Sequence, residues 1–319
     1  MKNKLYRFIL LLITSLAFSQ SPQNMSGKIF LDSSGNETSE GNHKTYRIIR
    51  NYSSDSDHYE INDYYKSGSI LMKGLSSSKY KLQKNGTFIN YYENGLRKSI
   101  SNYKSNRQVG KEFRFFEDGT IESEIEFIED EVGLEETYKI IQFWNKERQH
   151  KVINGNGEFE SYDITGIPTI GQVKNGFKDG EWTGSAEYTG LKFTDLYKNG
   201  KFISGKIIDS TGRQLSYKML INEGKPKKGF QEFQSHISNV LMKSQIVNAT
   251  KLSGKIYFLF TVEKDGSLTN LKVLKGLYEK LDQEALNTLK NSGIWIPAKI
   301  RGIEIAKEHS LPIVITAFN

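Results

Sequence analysis

The sequence contains no cysteine. This excludes a disulfide framework, lipid attachment through a cysteine and a thiol nucleophile. Histidine is sparse. His43, His58, His150, His236 and His309 lie far apart, and no two fall at the spacing of a metal-binding pair on a helix or hairpin. There is no G-x-S-x-G elbow and no phosphate-binding glycine loop. No catalytic residue, metal site, cofactor or small-molecule substrate is therefore expected, and the chain reads as a non-enzyme. Two acidic stretches are the nearest to exceptions. Glu122, Glu124 and Glu126 alternate with Ile121, Ile125 and Phe127, the pattern of the solvated side of a strand. Asp55 to Glu60 gathers acids but lacks the glycine turn and terminal glutamate of a calcium loop, so it reads as a solvated loop.

Apolar runs are short as well. Phe8 to Phe18 spans 11 residues, roughly 16 Å as a helix and about half of a ~30 Å hydrocarbon core. Lys2, Lys4 and Arg7 precede it, and Ala17 and Ser19 form an A-x-S cleavage pattern after it. Residues 1–19 are expected to be a secretory signal peptide, the alternative being an uncleaved inner-membrane anchor. Removing them leaves 41 basic and 37 acidic residues, a net charge of +4, of both signs spread along the chain. Nucleic-acid binding, which needs clustered positive charge, is not expected.

What is present divides by pattern. From about Asn24 to Asn222 the chain is rich in glycine, tyrosine, phenylalanine, asparagine and lysine. From Phe230 onward it alternates helix-like and strand-like segments. "NEGKPKKG", Asn222 to Gly229, reads as a linker between them. The expected domains are 1–19, 20–224 and 225–319.

Repetition marks the first half. "NGTFINYYENG" begins at Asn85, and "VGKEFRFFEDG" follows 24 residues later. Gly86 matches Gly110, Tyr91 and Tyr92 match Phe115 and Phe116, Glu93 matches Glu117, and Gly95 matches Gly119. Asn94-Gly95 and Asp118-Gly119 are turn dipeptides, because tight hairpins require positive φ. Each copy therefore reads as a β-hairpin. A lone hairpin is marginal in water, so neighbours must pair edge to edge, with the aromatics as the core between copies. Weaker copies occur at Tyr64–Gly68, Lys174–Trp182 and Tyr197–Tyr217, while Ile128 to Glu136 reads as an acidic loop. The strings from about 60 to 220 resemble MORN repeats, which implies a binding or spacing array.

In the last ninety residues, Phe230, Phe233, Ile237, Val240 and Leu241 fall at helical spacing. Gly254 to Gly276 reads as two strands around a turn at Asp265-Gly266, with Ile256, Phe258, Phe260 and Val262 on one face. Leu271 and Val273 share a face of the second strand. A second helix covers Glu279 to Asn291, with Leu281, Ala285, Leu286 and Leu289 on one side. Leu311 to Phe318 is the last strand. The fold class expected is mainly β: an array of antiparallel hairpins, then a small α+β domain of order α-β-β-α-β, an antiparallel sheet with helices on one side.

Over about 230–319 this order resembles the TonB C-terminal domain family. Gly254, Asp265, Gly266, Leu281, Asp282, Ala285, Pro297, Ala298 and Gly302 are the positions that carry the family motif as structural residues. The resemblance implies a periplasmic or cell-envelope domain that grips an extended segment of an outer-membrane TonB-dependent receptor by strand addition. It places the docking edge on the final strand, at Leu311, Pro312, Ile313, Val314, Ile315 and Thr316. The chain departs from the family in three respects. Its signal-like N-terminus is short for the inner-membrane helix of an energy transducer, a hairpin array stands where a proline-rich spacer would be, and no Tyr-Pro segment occurs within Met242 to Gly254. Three readings follow. The first is an exported, non-catalytic adaptor in the periplasm or at the outer membrane. The second is an energy transducer that keeps its N-terminal segment as an inner-membrane anchor. The third is an enzyme whose site is assembled from distant residues.

Overall fold

The computed structural model describes residues 27–50, 58–128, 137–293 and 295–316. The expected signal peptide, the acidic residues 129–136 and Asp55 to Asp57 of the acidic stretch lie outside them. Among the described residues strands account for 55% and helices for 14%, as a mainly β class requires.

The first sixteen strands form one antiparallel sheet in chain order. They are β1 (Lys28–Leu31), β2 (Thr45–Arg50), β3 (Tyr59–Tyr65), β4 (Ile70–Ser76), β5 (Gly86–Tyr91), β6 (Arg97–Lys104), β7 (Arg107–Phe115), β8 (Ile121–Ile128), β9 (Thr137–Trp144), β10 (His150–Ile153), β11 (Asn156–Tyr162), β12 (Pro168–Lys174), β13 (Phe177–Ala186), β14 (Leu191–Lys198), β15 (Lys201–Ile208) and β16 (Gln214–Tyr217). The chain divides into two compact units, one of Met1–Glu160 with Gly171–Lys178, the other of Ser161–Ile170 with Asp179–Asn319.

In the first unit two kinds of turn alternate along the meander. Tyr65–Ser69, Tyr92–Leu96, Phe116–Thr120 and Asn145–Gln149 are five-residue turns, in which the first N–H donates to the last carbonyl and the fourth N–H donates back to the first carbonyl. Gly95 and Gly119 occupy the fourth place at φ 86° and 84°. Ser105-Asn106, Asn154-Gly155 and Asn175-Gly176 are two-residue turns with positive φ at both positions. The hairpins expected at Asn94-Gly95 and Asp118-Gly119 are present, but their turns are the wider kind. The tight turns stand between the copies, at Ser105-Asn106 and its equivalents. A register shift accompanies each of these wide turns: Asn90 and Tyr91 face Ser99 and Arg97, and Arg114 and Phe115 face Ser123 and Ile121, so the extra residues, Lys98 and Glu122, stand on the strand that follows the turn.

The repeated aromatic pair now has a physical role. Tyr65 Oη donates to the Tyr91 carbonyl at 2.8 Å, and Tyr92 Oη donates to the Phe115 carbonyl at 2.7 Å. Asn94 Nδ2 donates to the Glu117 carbonyl at 2.9 Å. The second aromatic of each copy thus satisfies a carbonyl at the strand end of the next. Phe116 has no hydroxyl, and there Arg148 stacks 3.5 Å above its ring and pairs with Asp118 at 2.5 Å. The core of this unit includes Tyr59, Ile61, Met72 and Phe88.

The second unit continues the pattern with five-residue turns at Asp163–Ile167 and Asp209–Arg213 and a tight turn at Asn199-Gly200. Trp182, Phe193, Tyr197 and Tyr217 are buried. The chain then forms β17 (Ile221–Asn222), β18 (Lys225–Pro226), α1 (Phe230–Met242), α2 (Gln245–Thr250), β19 (Gly254–Val262), β20 (Leu268–Lys275), α3 (Glu279–Lys290), β21 (Trp295–Ile296), β22 (Ala298–Ile300), β23 (Ile303–Ile305) and β24 (Lys307–Ile315). The expected α-β-β-α-β order is the frame of this region, to which α2 and the short strands are additions.

Asn222 to Gly229, expected as a short linker, is held by strand pairing. β17 pairs with β22, β18 pairs with β21, and Pro226 is buried. A Cβ on Gly224, at φ 73°, would come within 2.8 Å of the Ala298 nitrogen, so only glycine lets the two backbones approach this closely.

Helices α1 and α3 cover one face of the sheet β20-β19-β24. Phe233, Ile237 and Leu241 from α1, and Leu281, Ala285 and Leu289 from α3, are buried against Ile256, Phe258, Phe260 and Val262 of β19. Leu271, Val273 and Leu286 are partly buried against the same core. Phe230 and Val240, expected on the buried face of α1, are 43% and 39% exposed. Phe230 is the first residue of the helix, and Val240 flanks the stripe of Phe233, Ile237 and Leu241 that faces the core.

Candidate docking edge

Among the described residues strand β24 has one partner strand. It pairs with β19 in unbroken antiparallel register from Gly254 opposite Ile315 to Val262 opposite Lys307. β19 is therefore central, and β20 and β24 are the two edges of the three-stranded sheet. Leu311, Ile313 and Ile315 point into the core and are buried, whereas Pro312, Val314 and Thr316 are exposed. The strand starts earlier than the sequence suggested. Pro312, expected near its start, is the sixth residue of β24.

A proline in mid-strand is tolerated only where its missing N–H faces no partner. The Pro312 carbonyl accepts from Gln234 Nε2 of α1 at 3.3 Å, so the backbone of this residue faces away from β19. By the two-residue alternation of a strand, the N–H and C=O of Ser310 and Val314 point the same way. The edge thus offers backbone groups at Ser310 and Val314, separated by a residue with no donor and an already engaged acceptor.

At the start of the edge, Lys307 Nζ pairs with Glu223. His309 lies in the plane-to-plane sense over Phe260, with ring centroids 6.0 Å apart, and tilts against Trp295 at 5.2 Å. Neither His309 Nε2 nor Trp295 Nε1 has a hydrogen-bond partner. Burial holds the His309 imidazole below its ordinary 6.5, with Lys307 adding to the shift and Glu223 opposing it.

The nine positions expected to carry the family motif fall at turns, at the start of β19, between strands, on α3 and in β22. A Cβ on Gly254 would lie 2.5 Å from Leu277 Cδ2. Asp265 Oδ1 accepts from the Ser267 N–H at 2.9 Å and from its hydroxyl at 2.6 Å, and these bonds hold the Asp265 carboxyl below its ordinary value. Gly266, at φ 83°, closes that turn, and its carbonyl accepts from the Trp295 N–H. Asp282 Oδ1 accepts from the Leu277 N–H at 3.1 Å, Leu281 and Ala285 are core, and Ala298 is buried in β22. Pro297 sits between β21 and β22, and Gly302, at φ 80°, turns β22 into β23.

Among the described residues no group of three acidic or histidine side chains has the arrangement of a metal site. No described helix is long and apolar enough to cross a membrane. The three glutamates of β8 do not converge on a common task. Glu124 pairs with Lys111 at 2.7 Å, and burial raises the Glu122 carboxyl, so the face expected to be solvated is half-buried there.

The strand array is consistent with MORN-like repeats. Among curated proteins no match was found. Residues 244–314, from the cap of α2 to Val314 on the exposed edge, match the family described as Gram-negative bacterial TonB protein C-terminal.

Proposed function

We propose that this chain is a non-catalytic protein of the cell envelope that docks an extended segment of a partner by strand addition to β24. The hairpin array of residues 20–224 is its spacing or binding part and residues 225–319 its docking module. The partner is an envelope protein of the class of outer-membrane TonB-dependent receptors, and the location is the periplasm or the outer-membrane surface after removal of residues 1–19. The family matched at residues 244–314 is a non-enzymatic protein-interaction domain of the envelope. The observation that carries the reading is the edge: among the described residues β24 is paired on one side only, and all but its last residue lies within the matched segment.

The energetics favour a weak, selective contact. Ser310 and Val314 each present one N–H and one C=O. At about 1 kcal/mol net per hydrogen bond, four such bonds supply roughly 4 kcal/mol. Ordering the segment and immobilising it oppose this with costs of similar size. Side-chain contacts around Pro312 and Val314 then set affinity, which is expected near micromolar. Thr316→Lys tests the edge, because a charge at an edge discourages pairing. The full-length variant, folded by circular dichroism, is expected to lose binding to synthetic segments taken from candidate receptors. Unchanged affinity would remove β24 as the docking strand. Sequencing of the mature N-terminus separates this reading from the anchored transducer, which would retain Met1 to Phe18.

A further inference from the structure

The hairpin of β22 and β23 turns on Arg301 and Gly302, at φ 51° and 80°. In the array the first place of the equivalent turns belongs to Ser105, Asn154, Asn175 and Asn199, small polar residues at the same positive φ. Arginine is opposed there by its backbone, so its side chain must compensate.

That side chain is 4% exposed. Its Nη2 and Nε donate to Asp195 Oδ2 of β14 at 2.9 and 3.2 Å, and its Nη1 donates to Asp163 of the β11–β12 turn. The guanidinium lies 3.4 Å from the ring centre of Phe193. The Tyr217 hydroxyl of β16 donates to Asp195 as well, and Asp163 accepts further bonds from the Thr165 and Ile167 N–H groups at 2.8 Å. The Arg301 N–H donates to the Leu220 carbonyl at 2.9 Å. Two buried carboxylates therefore share one buried cation. Asp163 and Asp195 lie 138 and 106 residues upstream of it, and every contact falls within the second unit. Five residues after Gly302 the chain enters β24, whose first residue, Lys307, is tied to Glu223.

We infer that Arg301 is a positioning residue for the edge strand. It fastens the hairpin that leads into β24 to the β11–β12 turn and to β14 and β16, so that the edge and those last repeats of the second unit move together and Asn222 to Gly229 does not act as a hinge. A buried ion pair fixes direction as well as contact. The planar guanidinium meets two carboxylates at set angles, which a lysine does not reproduce. Removing the cation leaves two carboxylates buried side by side, and their repulsion opens the joint. This inference concerns how the edge is held and stands whatever binds there.

The absence of cysteine makes the test direct. Lys201→Cys on β15 and Glu308→Cys on β24, both exposed positions, carry a pair of spin labels on the full chain for a distance measurement by double electron–electron resonance. The expected result is one narrow distance peak that broadens or splits in Arg301→Ala and is restored only in part by Arg301→Lys. A peak already broad in the labelled parent overturns the inference. So does a peak that stays narrow and unshifted in folded Arg301→Ala, since a residue important only for stability would lower the melting temperature without widening the distance. Should Arg301→Ala not fold, Asp163→Asn decides, because it keeps Asp195 as counter-ion and preserves side-chain shape. A broadened peak supports the joint, and an unchanged peak overturns it.

Discussion

Glycines in this chain do two different jobs, and the difference predicts opposite responses to substitution. Gly95 and Gly119 sit at positive φ with open space around the Cβ position, the nearest atom to Gly119 being Leu96 Cδ1 at 3.7 Å. A valine there meets no wall, only an unfavourable backbone. Gly95→Val and Gly119→Val should each cost about 1–3 kcal/mol from that strain. Gly74 on β4 is the reverse: its φ is ordinary, but a Cβ would lie 2.4 Å from the Phe88 ring, which is fully buried. Gly184 and Gly205 lie in the same way under Phe193 and Tyr217. Gly74→Ala should therefore destabilise by overpacking, by about 1–3 kcal/mol, although alanine suits the backbone. A further change separates the two causes. In the Phe88→Leu background Gly74→Ala should become milder, whereas the Gly95→Val cost should not change. Chemical denaturation of the full-length variants checks both.

At the scale of elements, β24 combines an edge with a titratable group. The folded state holds His309 neutral more firmly than the unfolded chain does. The unfolded chain therefore takes up the proton first as pH falls. The contribution is fully present above about pH 6.5 and is lost as pH falls through the depressed folded value. The melting temperature of the transition that contains β24 is expected to drop between pH 7.5 and 5.5, and His309→Phe, which keeps a ring against Phe260 and Trp295, should remove that part of the drop. An equal drop in the variant would assign the pH dependence to other groups. Much of this region was legible in the sequence. The spacing of Phe233, Ile237 and Leu241 and the alternation of Ile256, Phe258, Phe260 and Val262 located α1 and β19, because burial on one face leaves a period. Short or non-local features left no such trace. The six residues of α2 are too few to show a period, and its only local mark is Ser244, whose hydroxyl caps the Ile246 N–H. Pro312 suggested a strand start, because the rule that confines proline to starts and edges does not choose between them. The carboxylate partners of Arg301 lie more than a hundred residues upstream, and nothing near Arg301 in the sequence announces them.

For the whole molecule, the sequence divides by composition near residue 224 and the compact units divide near residues 160 to 178. The two divisions answer different questions, one about repeat character and the other about packing. Phe260 is fully buried and rings Trp295 edge-on at 5.2 Å. Phe260→Ala should cost about 3–5 kcal/mol, and the shift should appear in the transition that also melts β14–β16, if Arg301 joins them as inferred. A shift confined to a fragment beginning at residue 225 would restore the compositional boundary as the folding boundary. The central claim, that β24 receives an extended partner strand, is tested most directly by site-specific photo-crosslinking in intact envelopes. A photoreactive phenylalanine analogue replaces Val314 on the β24 edge, 51% exposed, or Leu274 on the β20 edge, 56% exposed. Strand addition at β24 is expected to give a discrete adduct from position 314 that maps by mass spectrometry to one extended segment of an envelope protein, and no such adduct from position 274. Adducts from both edges alike, or none from position 314 in folded protein, would contradict it.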